Sequence, residues 1–407
     1  MTEPRTPTEL QGPPKGLSPT VRALGVVSLL TDVSSEMVYP VNPIFLTQVL
    51  GAAPAAVGII EGVAESTASL LKLVSGWLSD RAGRRKPLTM AGYGLGAISK
   101  PLIAVSGAWW HVLAARFLDR TGKGLRSAPR DALIAESCRP EERGRAFGFH
   151  RGMDTAGAVG GPLLGYAFLL LNPGRLRWLY LLAFVPGVLS VAVLSRWVRE
   201  RATPLDHQAA PPPVALPSWR SLSPTYRRYL AVLAIFSIGN SSDAFLLLRA
   251  EDMGVATLHL LLLYALFNVV EASLSYPVGV LSDRIGRKPL LVAGFGVFAA
   301  VYLGFALASA TWTVWLLFPL YGLYYTLTGG VQRALAADLS HPERRATEIG
   351  AYHMLIGLAA LPASILAGWL YGIARPLPFI VGAGAAALAV AALLATCGSF
   401  RVDAKPA

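Results

Sequence analysis

Charged residues are scarce in this chain. They make up 15% of its 407 residues, whereas hydrophobic residues make up 54%. A soluble domain carries about 25% charged residues, so this composition argues against an ordinary soluble protein and favours one whose solvent is lipid. The two cysteines, Cys138 and Cys397, lie in no CxxC or Cys/His cluster. We therefore expect free thiols at cytoplasmic helix ends and no metal site.

The sequence also lacks the marks of several function classes. It contains no Gly-x-x-x-x-Gly-Lys-Ser/Thr loop, so ATP drive is not expected. It contains no nucleophile–base pair or His-x-x-x-His cluster, which argues against a membrane-embedded enzyme and against a cofactor. A sensor without transport activity would need a soluble signalling domain, and none is evident. The net charge of +12 comes from short loops between apolar runs, which indicates membrane topology rather than nucleic acid binding.

Apolar runs dominate what is present. Each run is close to the ~20 residues that a spanning helix needs. The polar, proline-rich first 20 residues do not resemble a cleaved signal peptide. The predicted spans are 22–46, 56–79, 88–106, 109–131, 146–171, 176–196, 228–249, 255–281, 289–309, 311–336, 347–372 and 376–396. The predicted organisation is a disordered cytoplasmic tail (1–21), a six-helix bundle (22–200), a proline-rich cytoplasmic linker (201–225), a second bundle (226–398) and a cytoplasmic tail (399–407).

Lysine and arginine are unevenly divided among the loops. Alternate loops carry most of them, whereas the opposite loops carry only Arg175, Arg177, Arg249 and Arg375. The positive-inside rule places the basic loops and both termini in the cytoplasm. We expect a multi-pass protein of the inner (plasma) membrane.

One basic sequence occurs twice. Residues 76–87 read GWLSDRAGRRKP, and residues 279–289 read GVLSDRIGRKP. Both copies join two apolar runs. A similar offset relates Ser34-Ser35-Glu36 to Ser241-Ser242-Asp243. A six-helix unit duplicated in this way would enclose a midplane cavity that opens alternately to the two sides of the membrane.

This loop resembles the Gly-x-x-x-Asp-Arg-x-Gly-Arg-Arg signature of the major facilitator superfamily, and the resemblance covers essentially the whole chain. It implies an all-α polytopic fold of twelve transmembrane helices in two pseudo-symmetric six-helix bundles. It also implies a cytoplasmic latch, in which Asp80 contacts the start of helix eleven and Asp283 the start of helix five. The alternative is that the basic residues only set topology. The latch residues are Gly76, Asp80, Arg81, Gly83, Arg84, Arg85, Asp283, Arg284, Gly286 and Arg287.

Helix five carries a second family resemblance. Gly157, Gly161, Pro162 and Gly165 match the antiporter motif of drug:proton exporters, with Tyr166 in place of its final glycine. The resemblance implies export. The alternative is that small residues at this spacing only form a flat face for helix packing.

Several ionisable residues fall inside predicted spans, where they usually face the bundle interior. They can carry a coupling proton, bind an anionic substrate or pair with one another. Asp32 and Glu36 have no basic residue within a helical turn, which favours a coupling or substrate role, and Asp243 is their repeat equivalent. The predicted cavity set is Asp32, Glu36, Tyr39, Glu61, Glu65, Arg116, Asp119, Arg120, Lys123 and Asp243.

We therefore predict a secondary active transporter that works by alternating access. The favoured activity is proton-coupled efflux of a small organic molecule, either drug-like or a metabolite. The alternatives are a proton-coupled importer of an anionic solute and an exporter of a metal or metal chelate. The expected partners are the substrate, protons and the lipid bilayer, with no nucleic acid, and we expect a monomer.

Overall fold

The computed structural model describes residues 17–82, 84–138, 142–198, 200, 219, 222–341 and 345–395, and within these ranges no side chain is described for residues 73, 76, 77, 80–82 and 345–347. The described chain is helical and contains no strand, which confirms the all-α prediction. Its long helices are α1 (Pro19–Glu36), α2 (Pro54–Ala82), α3 (Lys86–Ala104), α4 (Trp109–Glu136), α5 (Arg143–Leu171), α6 (Leu176–Trp197), α7 (Pro224–Asp252, interrupted), α8 (Thr257–Ile285), α9 (Arg287–Leu307), α10 (Trp312–Leu339), α11 (Arg345–Ile373) and α12 (Leu377–Ala395).

Helices α1 and α7 are broken at equivalent positions. After Glu36, α1 continues as a 3-10 turn (Tyr39–Val41), a short helix (Asn42–Ile44) and a π-turn (Phe45–Val49). Pro40 and Pro43 cause this break, because each lacks the backbone N–H that a continuous helix needs. Helix α7 runs from Pro224 to Gly239 and resumes at Ala244, immediately after Asp243. An acidic side chain thus lies beside each break.

Seven helices in the described ranges are long and apolar enough to cross a membrane: Arg143–Leu171, Leu176–Trp197, Pro224–Asp252, Thr257–Ile285, Arg287–Leu307, Glu348–Ile373 and Leu377–Ala395. Five of them lie in the second half (α7, α8, α9, α11 and α12), and α6 directly precedes it. Helices α2 and α4 are not among the seven, and they carry the buried charges described below. Large apolar side chains are exposed along the helices, as at Leu171 (80%) and Leu307 (73%), which suits contact with lipid. The count of twelve crossings stays a prediction.

The two halves repeat the same helix pairings. In the first half, α1 packs on α5 and α6, α2 on α4, and α3 on α4 and α6. In the second half the equivalent pairs occur: α7 packs on α11 and α12, α8 on α10, and α9 on α10 and α12. Between the halves, α2 packs on α11 and α5 packs on α8, which are again equivalent. The packing therefore carries the twofold pattern that the repeated loop predicts.

Candidate functional site

A central cavity of about 400 Å³ lies between the two halves. Helices from both halves form its wall, as expected for a midplane transport site. Its first-half wall includes Glu36, Tyr39, Glu65, Arg120 and Lys123, and its second-half wall includes Asp243, Tyr264, Phe267, Asn268, Glu271 and Tyr325. Six of the predicted cavity residues therefore converge on one space.

A side pocket of about 40 Å³ extends from this cavity into the first half. Glu36, Tyr39, Arg120 and Lys123 line both spaces, so they form the boundary between them. The pocket adds Asp32, Asn42, Lys100, Arg116, Asp119 and Arg126. Asp32 thus faces the pocket rather than the central cavity, and Glu61 lines neither.

Glu61 and Arg116 form a buried ion pair. Both Glu61 carboxylate oxygens accept hydrogen bonds from Arg116 Nη2 at 2.8 Å. Asn42 Nδ2 donates to Glu61 Oε1 at 3.2 Å, and Tyr180 donates its hydroxyl hydrogen to Asn42 Oδ1 at 2.9 Å. These four side chains come from α1, α2, α4 and α6. The pair therefore ties together most of the first half.

The other charged side chains of the first half differ in how closely they approach their partners. Asp119 accepts a hydrogen bond from Lys100 Nζ at 2.8 Å and lies 3.6 Å from Arg116. Arg120 reaches Glu65 at 3.4 Å, where the Glu65 side chain is 49% exposed to the cavity. Glu61 and Glu65 of α2, together with Asp119 of α4 itself, therefore pair with Arg116 and Arg120, so this part of the α4 stripe is a structural network.

Three charged groups of the cavity wall stand outside this network. Glu36 Oε2 is buried and has no hydrogen-bond partner. Asp243 accepts hydrogen bonds from Tyr321 at 2.7 Å and Tyr325 at 3.2 Å, but makes none of the ion pairs found in the described ranges. Lys123 likewise makes none of those ion pairs. These groups are therefore available to protons or to a bound molecule.

The glycine face of α5, formed by Gly157, Gly161 and Gly165, lies directly against α1. A Cβ atom placed on Gly157 would lie 2.7 Å from Asp32 Cβ, and one on Gly161 would lie 2.9 Å from the backbone nitrogen of Met37. At Gly165 it would lie 2.8 Å from the Met37 carbonyl oxygen. A side chain at these positions would separate the helices, so the motif brings α5 against the turns of α1 that hold Asp32 and Glu36.

The two halves are in close contact at the predicted extracellular end. A Cβ on Gly58 of α2 would overlap the Ser364 carbonyl oxygen of α11, and Gln48 hydrogen-bonds to Glu251 across the halves. Toward the other end, a second cavity of about 500 Å³ begins at Glu271 and Tyr325, which line both spaces, and reaches Asp283 and Arg287. The site therefore communicates with the predicted cytoplasmic side.

The repeated loop makes contacts within each half. Arg85 pairs with Glu136 at 2.8 Å, and Arg287 pairs with Asp283 at 2.6 Å and with Asp338 at 3.3 Å. Gly286 has a φ of +91°, which favours glycine over any other residue at that turn. Arg84 and Arg284 are exposed. The predicted latch contacts of Gly76, Asp80, Arg81 and Gly83 lie outside the described side chains, and Asp283 makes no hydrogen bond or ion pair to α5 among those described.

Comparison with known proteins agrees with this architecture. The family model described as Major Facilitator Superfamily matches residues 24–363 and 250–403. The chain belongs to the major facilitator superfamily. It is 36% identical over 372 residues to an uncharacterized MFS-type transporter of Methanocaldococcus jannaschii, covering 90% of this chain and 92% of the relative. It is 25% identical over 362 residues to the multidrug resistance protein MdtH of Photorhabdus laumondii, covering 86% and 87%.

Solved structures of this superfamily show the same fold. The crystal structure of the peptide transporter POT in complex with sulfate aligns with a TM-score of 0.76 at 15% identity, covering 96% of each chain. A bacterial homolog of the human lysosomal transporter Spinster, in an inward-facing and occupied conformation, aligns with a TM-score of 0.69 at 16% identity, covering 95% of this chain and 97% of that one. At such identities the likeness concerns the fold alone.

Some residues that line the central cavity were not among the predicted site residues. Glu271 of α8 lines the cavity and lies 3.6 Å from Arg151 of α5. An acidic residue in an apolar span is a signal that could have identified it. Asn268 donates to the Ala158 carbonyl oxygen of α5 at 3.1 Å. Tyr264 and Tyr325 carry no sequence signal that separates them from the other tyrosines of the chain.

Proposed function

We propose that this transporter is a proton-coupled exporter of small organic molecules that works by alternating access. The observation that carries the proposal is the position of Glu36. Its carboxyl group lies on the wall shared by the central cavity and the side pocket, and one of its oxygens has no partner. Glu36 makes none of the ion pairs found among the described residues, and a carboxyl group without such a partner is costly to keep ionised away from water. It can therefore take up and release a proton as its surroundings alternate.

The glycine face of α5 supports the same proposal. It holds α5 against the turn of α1 that carries Glu36, so a shift of either helix would change the surroundings of this carboxyl group. The motif resembles that of drug:proton exporters, and MdtH, a relative at 25% identity, is named a multidrug resistance protein. Both features favour export. We further propose a monomer in the inner (plasma) membrane. The distribution of basic residues predicts that both termini lie in the cytoplasm.

The test is transport by the purified protein in liposomes. We expect a proton gradient to drive movement of organic substrates, and an uncoupler to abolish it. In Glu36→Gln the gradient should no longer drive transport, while exchange of labelled for unlabelled substrate continues. Glu65→Gln is the matched control, because Glu65 lines the same cavity but is paired with Arg120. Gradient-driven transport by Glu36→Gln at the wild-type rate would remove Glu36 from the coupling mechanism.

A second candidate function is proton-coupled import of an anionic solute. Lys123 favours it, because its ammonium group faces the cavity without an ion-pair partner among the described residues. The two functions differ in direction. An importer would accumulate its solute on the side to which protons flow, and an exporter would move it the opposite way.

A further inference from the structure

We propose that the cavity binds a substrate carrying both a positive and a negative group, with the positive group at Asp243 and the negative group at Lys123. This inference rests on the proposed transport function of the cavity, but not on the direction of transport or on proton coupling. It assigns one substrate charge to each half of the protein.

The second-half wall suits a cationic group. Asp243 lies at the break of α7, and its contacts there are tyrosine hydroxyls rather than a base. Aromatic rings surround the same space: Phe267 and Tyr325 meet edge to face at 5.2 Å, and Tyr264 lies 5.4 Å from Phe267. A carboxylate beside aromatic faces binds an ammonium or delocalised cation through both ion pairing and cation–π attraction. Two hydroxyl donors hold Asp243 in place without neutralising it.

The first-half wall suits an anionic group. Arg120 and Lys123 are neighbours on one face of α4, but Glu65 and Asp119 offset the charge of Arg120. No described carboxylate is in ion-pair contact with Lys123. A lysine ammonium group is a point charge with three donors, which fits a carboxylate or phosphate group. Lys123 lies on the boundary of the side pocket, so its charge points into shared space rather than into a helix contact.

A substrate with two charges satisfies both walls at once. The carboxylates of Glu65 and Glu36 attract Lys123 but make no ion pair with it among the described residues. A charge held away from water is unfavourable without a close partner, so a purely cationic substrate would leave Lys123 without an ion-pair partner and a purely anionic one would leave Asp243 without one. The two groups belong to different halves, because Lys123 lies on α4 and Asp243 on α7. A substrate with both charges therefore bridges the halves, and its affinity depends on their relative position. A ligand can shift a conformational equilibrium only if its affinity differs between the two conformations, and this substrate meets that condition.

The size of the cavity fits this substrate class. Its volume of about 400 Å³ lies in the range of small-molecule sites, roughly 300–1,000 Å³. This volume accommodates a drug-sized zwitterion with an aromatic body. The aromatic side chains of the second half offer the contacts for such a body, while the charged ends are held at opposite walls.

The test compares molecules that share a scaffold and differ in charge. Rhodamine 110 carries a cation and a carboxylate, its methyl ester rhodamine 123 carries the cation alone, and fluorescein carries anionic groups alone. A second series consists of phenylalanine, its amide and its N-acetyl derivative. Binding to the purified full chain in detergent is measured by dye anisotropy and by thermal stabilisation, with no gradient present. We expect the zwitterion of a series to bind at least tenfold more tightly than its analogues, which corresponds to 1.4 kcal/mol.

Variants assign each charge to its wall. Lys123→Gln should lower rhodamine 110 affinity to the level of rhodamine 123, leave rhodamine 123 unchanged and be rescued by Lys123→Arg. Asp243→Asn should remove the preference for a cationic group. Lys72→Gln, an exposed lysine of α2 outside the cavity wall, is the control. Equal binding of single-charge analogues, or no binding of the zwitterion in either series, would overturn the proposal. Because no gradient is used, this outcome would leave proton-coupled export untouched.

Discussion

The Glu61–Arg116 pair offers a direct measure of what buried charge contributes to this fold. Glu61 is 2% exposed and Arg116 7% exposed, and they meet through two hydrogen bonds of 2.8 Å. Replacing Glu61 by methionine keeps similar volume but leaves the arginine without its main partner. Breaking a buried pair in this way costs about 3–5 kcal/mol. Asp119, 3.6 Å from Arg116, takes up part of that charge, which favours the lower end of the range.

The hydrogen bond from Asn42 to Glu61 adds a separate cost. Its loss leaves a buried amide unpaired, at about 1 kcal/mol. The double variant Glu61→Met/Arg116→Met keeps this second cost but removes the orphaned charge, so it should recover most of the lost stability. Glu65→Met is the matched control on the same helix. Its partner distance is 3.4 Å and its side chain is 49% exposed, so we expect a loss of about 0–1 kcal/mol.

The measurement is the free energy of unfolding in mixed micelles, obtained from denaturant titrations of the four proteins. Two results would contradict the reasoning. The first is an equal loss of stability in Glu61→Met and Glu65→Met. The second is a double variant no more stable than Glu61→Met alone, which would mean that the charge of Arg116 is not what makes the single change costly.

Three further predictions concern helix packing and the latch. Gly161→Ala should lower the free energy of unfolding by about 1–3 kcal/mol and slow transport, because its Cβ would lie 2.9 Å from backbone atoms of α1. Gly160→Ala should be harmless, since nothing lies within 4 Å of a Cβ at that position. Equal unfolding free energies of the two variants would refute this. Gly58→Val should weaken closure at the predicted extracellular end and raise the reactivity of a cysteine at Gln48 toward an impermeant thiol reagent, while Gly94→Val, which meets open space, should not. Asp80→Asn should lower turnover more than substrate affinity in a liposome assay, and a pure loss of affinity would argue against a latch.

The helical fold and its duplication could be predicted because they follow from local chemistry. Apolar length predicts the helices and a repeated loop reveals the duplication, so neither requires knowledge of which helix touches which. The orientation that the basic loops indicate stays a prediction. Local chemistry also accounts for the positions of Glu36 and Asp243 beside helix breaks. Pro40 and Pro43 break α1, and the polar run Asn240-Ser241-Ser242 interrupts α7. A break in a spanning helix turns polar groups toward a protected space.

The partners of each charge could not be predicted in this way. Glu61 and Glu65 lie one turn apart on α2, yet the first is buried against Arg116 and the second faces the cavity beside Arg120. That difference depends on the rotation of α2 against α4, which many apolar contacts determine together. The tyrosines of the second half present the same difficulty. Tyr321 and Tyr325 become important only because α10 brings them to Asp243 at the break of α7.

The two halves share their helix packing but differ in the side chains of their cavity walls, and this combination suits a transporter. Two contacts between the halves, α2 with α11 and α5 with α8, are equivalent by the repeat, and each uses a hydrogen bond to a backbone carbonyl: Ser66 to Gly357 at 2.6 Å and Asn268 to Ala158 at 3.1 Å. Equivalent contacts permit rocking about a shared centre. The walls of that centre are not equivalent, because paired charges fill the first half and tyrosines the second. In the proposed transport cycle, symmetry therefore accounts for the motion between the halves, and its loss at the cavity wall accounts for the selection of substrate.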